Sequence, residues 1–165
     1  MRILGVDPGS AVTGYGLIAG DVRTSRALDY GVLRPPPAAP LAEKLLVVYR
    51  GLLEIFERHR PDCAAVESLF HAKNARSALA LGHVRGVVLL AAAESGVPTF
   101  EYAPMEIKKA LVGYGRAEKE QVQMMVTRLL SLPSPPRPLD AADALAVALC
   151  HAAVASFQSR LERAE

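Results

Sequence analysis

Four carboxylates lie against apolar sequence. Asp7 ends the run Ile3-Leu4-Gly5-Val6, Glu67 ends Cys63-Ala64-Ala65-Val66, and Asp140 and Asp143 sit inside Leu139-Asp-Ala-Ala-Asp-Ala-Leu-Ala-Val. Burying an unpaired carboxylate costs several kcal/mol, and a divalent cation offsets that cost for all four together. Taken singly, each has an ordinary use: Asp7 in an Asp-Pro-Gly turn, Asp140 as a helix cap after Pro138, Glu67 as the partner of a Lys or Arg. Asp143 fits such a role least, being one helical turn in among Ala142, Leu145, Val147 and Cys150. The weight is in the combination. Asp140 and Asp143 share one helix face near its amino end, where negative charge is favoured, so both can reach one ion.

Hard oxygen ligands select magnesium or manganese over zinc, and His59, His71, His83 and His151 have no zinc-motif spacing. Two such ions about 3.5–4 Å apart activate a water and stabilise the leaving oxygen of a phosphodiester, which is nuclease chemistry. Lys119, near the amino end of an expected helix, is placed to assist at the scissile phosphate, with a solvated lysine as the bland alternative.

These residues need a scaffold. Ile3 to Val6 reads as a strand stopped by Asp-Pro-Gly, followed by strands from Gly14 to Ala19 and Ser25 to Leu33 around the Gly20-Asp21 turn. Apolar residues at helical spacing (Leu41, Leu45, Val48, Leu52, Ile55, Phe56) predict a helix from Leu41 to His59 ending before Pro61. A strand at Cys63 to Val66, a helix from Asn74 to Ser95, a strand at Thr99 to Tyr102 and a short helix from Pro104 to about Leu111 follow. Helices at Glu118 to Leu130 and Leu139 to Phe157 complete the order βββαβαβ plus carboxyl-terminal helices. This is an α/β chain, expected as a five-stranded mixed sheet flanked by helices. Pairing the first and fourth strands in parallel sets Asp7 beside Glu67 at their carboxyl ends, where open α/β sheets build sites.

The 165 residues, 51% hydrophobic, suit one domain over residues 1–165. Cys63 and Cys150 both lie in apolar segments and read as buried thiols of a reducing compartment. Asp7 interrupts any signal-peptide core, and Val87 to Ala93 is too short to span a bilayer, so a soluble cytoplasmic protein is expected. The net charge is only +2, yet His71 to Leu139 holds nine basic residues against five acidic ones. A basic surface around an acidic pocket suits a polyanion held by its phosphates, although a solvated helical surface accounts for the charge equally well.

The motifs Gly5-Val-Asp-Pro-Gly-Ser with Thr13-Gly-Tyr-Gly, Val66-Glu-Ser-Leu-Phe-His-Ala-Lys-Asn, Gly115-Arg-Ala-Glu-Lys-Glu-Gln-Val-Gln and Asp140-Ala-Ala-Asp-Ala-Leu-Ala, in this order over nearly the whole chain, resemble the RuvC family of bacterial Holliday-junction resolvases. The resemblance implies a ribonuclease-H-like fold and a homodimer that nicks two strands of a four-way DNA junction symmetrically, leaving 5'-phosphate and 3'-hydroxyl ends. It implies magnesium or manganese, two ions per site, held by Asp7, Glu67, Asp140 and Asp143. Lys119 and Lys108 match family basic positions, and Phe70 matches an aromatic that stacks on bases at the junction centre, a contact worth roughly 1–3 kcal/mol. Lys73, Arg76 and Arg116 are weaker DNA-contact candidates. The resemblance further implies coupling to the RuvA–RuvB branch-migration machinery.

The helix beginning at Asn74 is apolar around more of its circumference than one core face needs, and Gly82 and Gly86 permit close helix approach, which fits a dimer seam as well as a buried monomer helix. Among other classes, actin-like ATPases and sugar kinases also open with Asp-x-Gly and a Thr-Gly hairpin, but they need a duplicated domain. Small ribonuclease-H-like nucleases acting on RNA are nearer rivals, and a non-cutting binder of branched DNA is a third class.

Overall fold

The first three strands are β1 (Arg2–Asp7), β2 (Thr13–Ala19) and β3 (Arg26–Leu33), followed by α1 (Leu41–His59), β4 (Cys63–Glu67), α2 (Ala75–Glu94), β5 (Thr99–Tyr102), α3 (Pro104–Val112), α4 (Lys119–Leu129) and α5 (Leu139–Glu162). The computed structural model describes residues 1–21, 23–68 and 74–162. The strands form one five-stranded sheet in the order β3-β2-β1-β4-β5. β2 is antiparallel to β1 and to β3, whereas β4 is parallel to β1 and to β5, so the sheet is mixed.

Alternation along each strand divides the core in two. Leu4, Val6 and Leu17 face α1 and α2 on one side, while Ile3, Ile18 and Ala65 face α3, α4 and α5 on the other. α1 follows its apolar spacing, burying Val48, Leu52, Ile55 and Phe56, and stops where Arg60 turns left-handed (φ 45°) ahead of Pro61. Asn74 and Ser95 flank α2 as caps, and the Asn74 side chain accepts a hydrogen bond from the Ser77 amide at 2.9 Å. Glu118 and Leu130 likewise lie just outside α4 as its caps. α5 continues to Glu162, past the Phe157 end expected from sequence, because Gln158 to Glu162 contains no helix breaker.

α2 and α5 are each long and apolar enough to cross a bilayer, with mean hydropathies of 1.3 and 1.4, which a search for one unbroken apolar run overlooks. α5 spends its apolar surface inside the protein: Ala144 to Cys150 are all buried. It lies very close to the sheet, because Gly5 and Gly16 pair directly across β1 and β2 and both face it. A Cβ at Gly16 would come 2.8 Å from the Leu145 amide nitrogen, and one at Gly5 2.8 Å from that of Ala148. At Gly14, paired with Asp7, a Cβ would collide with the Asp140 carbonyl. The three glycines form a trough in which the last helix rests. Cys63 and Cys150 are buried and unpaired, and burial pushes their thiols up to about 11 and about 12, so neither carries appreciable thiolate at neutral pH.

Candidate active site

β1 and β4 run in register from Ile3 opposite Cys63 to Val6 opposite Val66, which brings Asp7 and Glu67 out together at the carboxyl edge of the sheet. The turn after Asp7 is held by Thr13, fully buried, whose hydroxyl donates to the Gly9 carbonyl at 3.2 Å. α5 enters at the same edge and supplies Asp143. α3 and α4 contribute Lys108 and Lys119, and Lys119 is the first residue of α4, fixed there by the Glu118 amide donating to Gln121 Oε1 at 2.9 Å. Asp7, Glu67, Asp143, Lys108 and Lys119 line one cavity of about 260 Å³ over an apolar floor that includes Ile107, Val122 and Ala146.

Of the residues singled out from sequence, these five converge. Asp140 is set one turn back on α5, outside the lining of the cavity, though its charge still acts on Asp7. Phe70 falls outside the described residues, as do His71 and Lys73.

The electrostatics of the cleft are those of crowded anions. Burial raises the Asp7 carboxyl most, with Glu67, Asp143 and Asp140 adding to it, and pushes it up to about 8. Burial also raises Glu67, although hydrogen bonding with Asp7 and the nearby Lys119 and Lys108 draw it back, so the pair holds a proton to higher pH than separate exposed carboxyls would. Lys119 Nζ lies 3.0 Å from Asp143 Oδ2, and this bond raises the Lys119 ammonium further. The lysine is two-thirds exposed (67%), so the pair adds little stability by itself.

Asp7 therefore binds a proton in the folded protein over a range in which the unfolded chain has released it. Its ionisation weakens the metal-free fold progressively as pH rises from about 4 to about 8. Asp7→Asn imitates the protonated acid and removes that loss. In chelator at pH 8 the variant is expected to melt higher by about 4–8 °C, or at least ~2 kcal/mol, with the gain shrinking to nothing near pH 4. A melting-temperature difference that does not change with pH would contradict it.

Among the described residues no three His, Cys, Asp or Glu side chains converge on one ready-made ion position. The donor set nonetheless fits a hard divalent cation. The cavity wall offers carboxylates with no thiol or imidazole, and burial, with the neighbouring acids adding to it, raises the Asp7 carboxyl, a cost that a bound cation would relieve.

The sequence reading found the acids and lysines of the cleft but not what aligns them. Behind it, buried His151 on α5 shares a 2.7 Å hydrogen bond through Nδ1 with the Tyr102 hydroxyl of β5, and stacks at 4.4 Å on Phe100. Burial lowers the histidine, keeping it neutral, so a polar rivet joins α5 to the edge strand. A Tyr closing the short strand Thr99–Tyr102 was its sequence signal. Gly14 and Gly16, two apart on one strand face, signalled the close seat of α5.

Comparison with known proteins places this geometry. The family described as crossover junction endodeoxyribonuclease RuvC matches residues 3–151. A protein of Desulforamulus reducens named crossover junction endodeoxyribonuclease RuvC is 55% identical over 152 residues, covering 92% of this chain and 93% of its own. The structure of Thermus thermophilus RuvC in complex with a Holliday junction substrate superposes with a TM-score of 0.92 at 40% identity, over 96% of both chains. The yeast mitochondrial Holliday junction resolvase Ydc2 shares the fold, with a TM-score of 0.64 at 12% identity over 98% of this chain and 82% of its own.

Proposed function

Since the chain belongs to the RuvC family of crossover junction endodeoxyribonucleases, we propose that it resolves Holliday junctions by paired hydrolysis of two phosphodiesters, as one nuclease domain over residues 1–165. The observation that carries this reading is the cavity in which Asp7, Glu67 and Asp143 meet Lys108 and Lys119 at the carboxyl ends of β1 and β4. Magnesium, with manganese as a substitute and two ions per site, supplies activation of the attacking water and neutralisation of the departing oxygen.

Asp7, Glu67 and Asp143 hold the metal, with Asp140 completing the set from the preceding helical turn. Water adds to phosphorus and the bond to the 3' oxygen breaks, leaving a 3'-hydroxyl and a 5'-phosphate. Lys119 exchanges its Asp143 partner for a non-bridging oxygen of the scissile phosphate, where its ammonium offsets the charge that builds up. Lys108, which lines the same cavity from α3, holds the flanking phosphate. Phe70, three residues after Glu67 in sequence, is the proposed stacking contact with an opened base.

Two strands need two sites, and α2 offers the seam for a homodimer. Leu79 and Leu90 are exposed at 66% and 57%, and nothing lies over Gly82 or Gly86. With Leu45 and Val87 they line an apolar groove of about 750 Å³, a surface that a second copy of the chain covers. Coupling to RuvA–RuvB branch migration rests on family membership, and a cytoplasmic location on the two buried free thiols.

The test compares a labelled mobile four-way junction with linear duplex and RNA–DNA hybrid, each with magnesium, manganese or chelator. Paired nicks confined to the junction and abolished by chelator are expected. Preferential hybrid cleavage would instead indicate a ribonuclease-like enzyme, and binding without cutting an architectural protein.

A further inference from the structure

A second cavity opens at the same edge of the sheet as the acidic cleft. β3 ends at Leu33, paired with Thr13, so the segment that follows leaves the sheet at the end where Asp7 sits opposite Gly14. α2 starts at this edge too, after β4, and α1 starts there after the proline-rich connection from Arg34. Between them lies a groove of about 650 Å³ whose charged side chains are Arg34, Lys44 and Arg76, with His83 at its α2 side. No Asp or Glu lines it, although Glu43 stands exposed in the first turn of α1. Ser10 to Val12, the loop that leaves Asp7, form its near wall, so groove and cleft share one loop.

The three cations have no carboxylate partner among the described residues, whose ion pairs are His59–Asp29, Arg85–Glu101 and Lys119–Asp143. Lys44 Nζ donates to the Pro37 carbonyl at 2.6 Å, which braces the proline-rich wall and keeps the groove open. A wide, partly apolar trough edged by unpaired guanidinium and ammonium groups suits a polyanion whose charges repeat along a backbone. The acidic cleft alone would repel such a ligand, and a cationic track beside it offsets that repulsion.

We infer that the groove edged by Arg34, Lys44 and Arg76 binds the sugar–phosphate backbone of a junction arm away from the scissile phosphate, anchoring the arm while the acids act. The inference rests on the junction-cutting reading and assigns to it a contact for affinity, not chemistry. The groove shares Leu79 and His83 with the apolar seam on α2, so in a dimer the two grooves flank the joint between copies and guide two arms apart.

Arg34→Gln/Arg76→Gln leaves the Lys44 brace in place, and Arg50→Gln/Arg128→Gln, on α1 and α4 outside the groove, removes the same charge. Junction affinity is measured for the full chain from 50 to 200 mM salt in calcium, followed by single-turnover cleavage in magnesium at saturating protein. The groove variant is expected to bind about 5–20-fold more weakly at 100 mM salt and to lose about 2 from the slope of log affinity against log salt, close to one per phosphate contact. Its saturated cleavage rate should stay within about two-fold of the parent. An unchanged slope, or equal losses in the control variant, would overturn the inference. A parent protein that ignores junctions would instead overturn the reading beneath it, and a groove variant slow even at saturation would move these arginines into positioning the scissile strand.

Discussion

Asp7→Asn binds a four-way junction within about three-fold of the parent protein and cuts it at least ~10³-fold more slowly. The asymmetry follows from where Asp7 stands. Its carboxyl lines the cleft with Glu67 and Asp143 and is absent from the lining of the groove proposed to hold DNA at Arg34 and Arg76, so the substitution removes a proposed metal ligand and leaves the cationic side chains. Gel-shift titration in calcium and single-turnover cleavage in magnesium separate the two quantities. Loss of both in parallel would place Asp7 in substrate binding, and survival of cleavage would remove it from the metal set.

Gly14→Ala is expected to have the second-largest effect, although the side chain it adds is a single methyl. That methyl collides with the Asp140 carbonyl, a backbone atom with no rotamer to change, so the amino end of α5 must lift from the sheet. Overpacking of this kind costs about 1–3 kcal/mol, or about 3–10 °C in Tm for a chain of this length. The larger consequence is positional. Asp140 and Asp143 ride on the displaced turn, and a shift near 1 Å in a reacting geometry costs about 100-fold in rate. Thermal melting together with cleavage measured well below the new Tm tests this. A destabilised variant that still cuts normally per folded molecule would show that the close seat of α5 serves stability alone.

The sequence revealed the chemistry of the site more readily than its alignment. Asp7 and Glu67 each end an apolar run, and a parallel pairing of those runs needed only the order of elements to be proposed; the register of Ile3 with Cys63 and Val6 with Val66 agrees. α1 was legible to the residue because its apolar period and Pro61 act on neighbouring positions. Helix ends without such punctuation were not, and α5 ran a further turn beyond Phe157. The bond of Tyr102 with His151, the support of Gly9 by Thr13 and the pairing of Lys119 with Asp143 are set by three-dimensional packing. Apart from Thr13 with Gly9, the partners are far apart along the chain, and no local pattern announces them. Arg34 and Lys44 escaped notice for the same reason: only the folded edge brings the end of β3, the start of α1 and the start of α2 around one groove.

The helix that completes the cleft is also made after every strand of the sheet. Asp7 precedes Glu67, which comes about two-fifths of the way along the 165 residues, but the acids of α5 are not translated until all five strands have been made. A nascent chain can pair β1 with β4 and bring Asp7 beside Glu67, yet it lacks Asp140 and Asp143, and the Gly5–Gly16 trough is still empty. Contacts of such long sequence separation form late and slowly. The order of synthesis thus works as a safety catch: a product truncated before α5 would be incomplete at the reacting centre, and DNA would meet cutting activity only once α5 had docked.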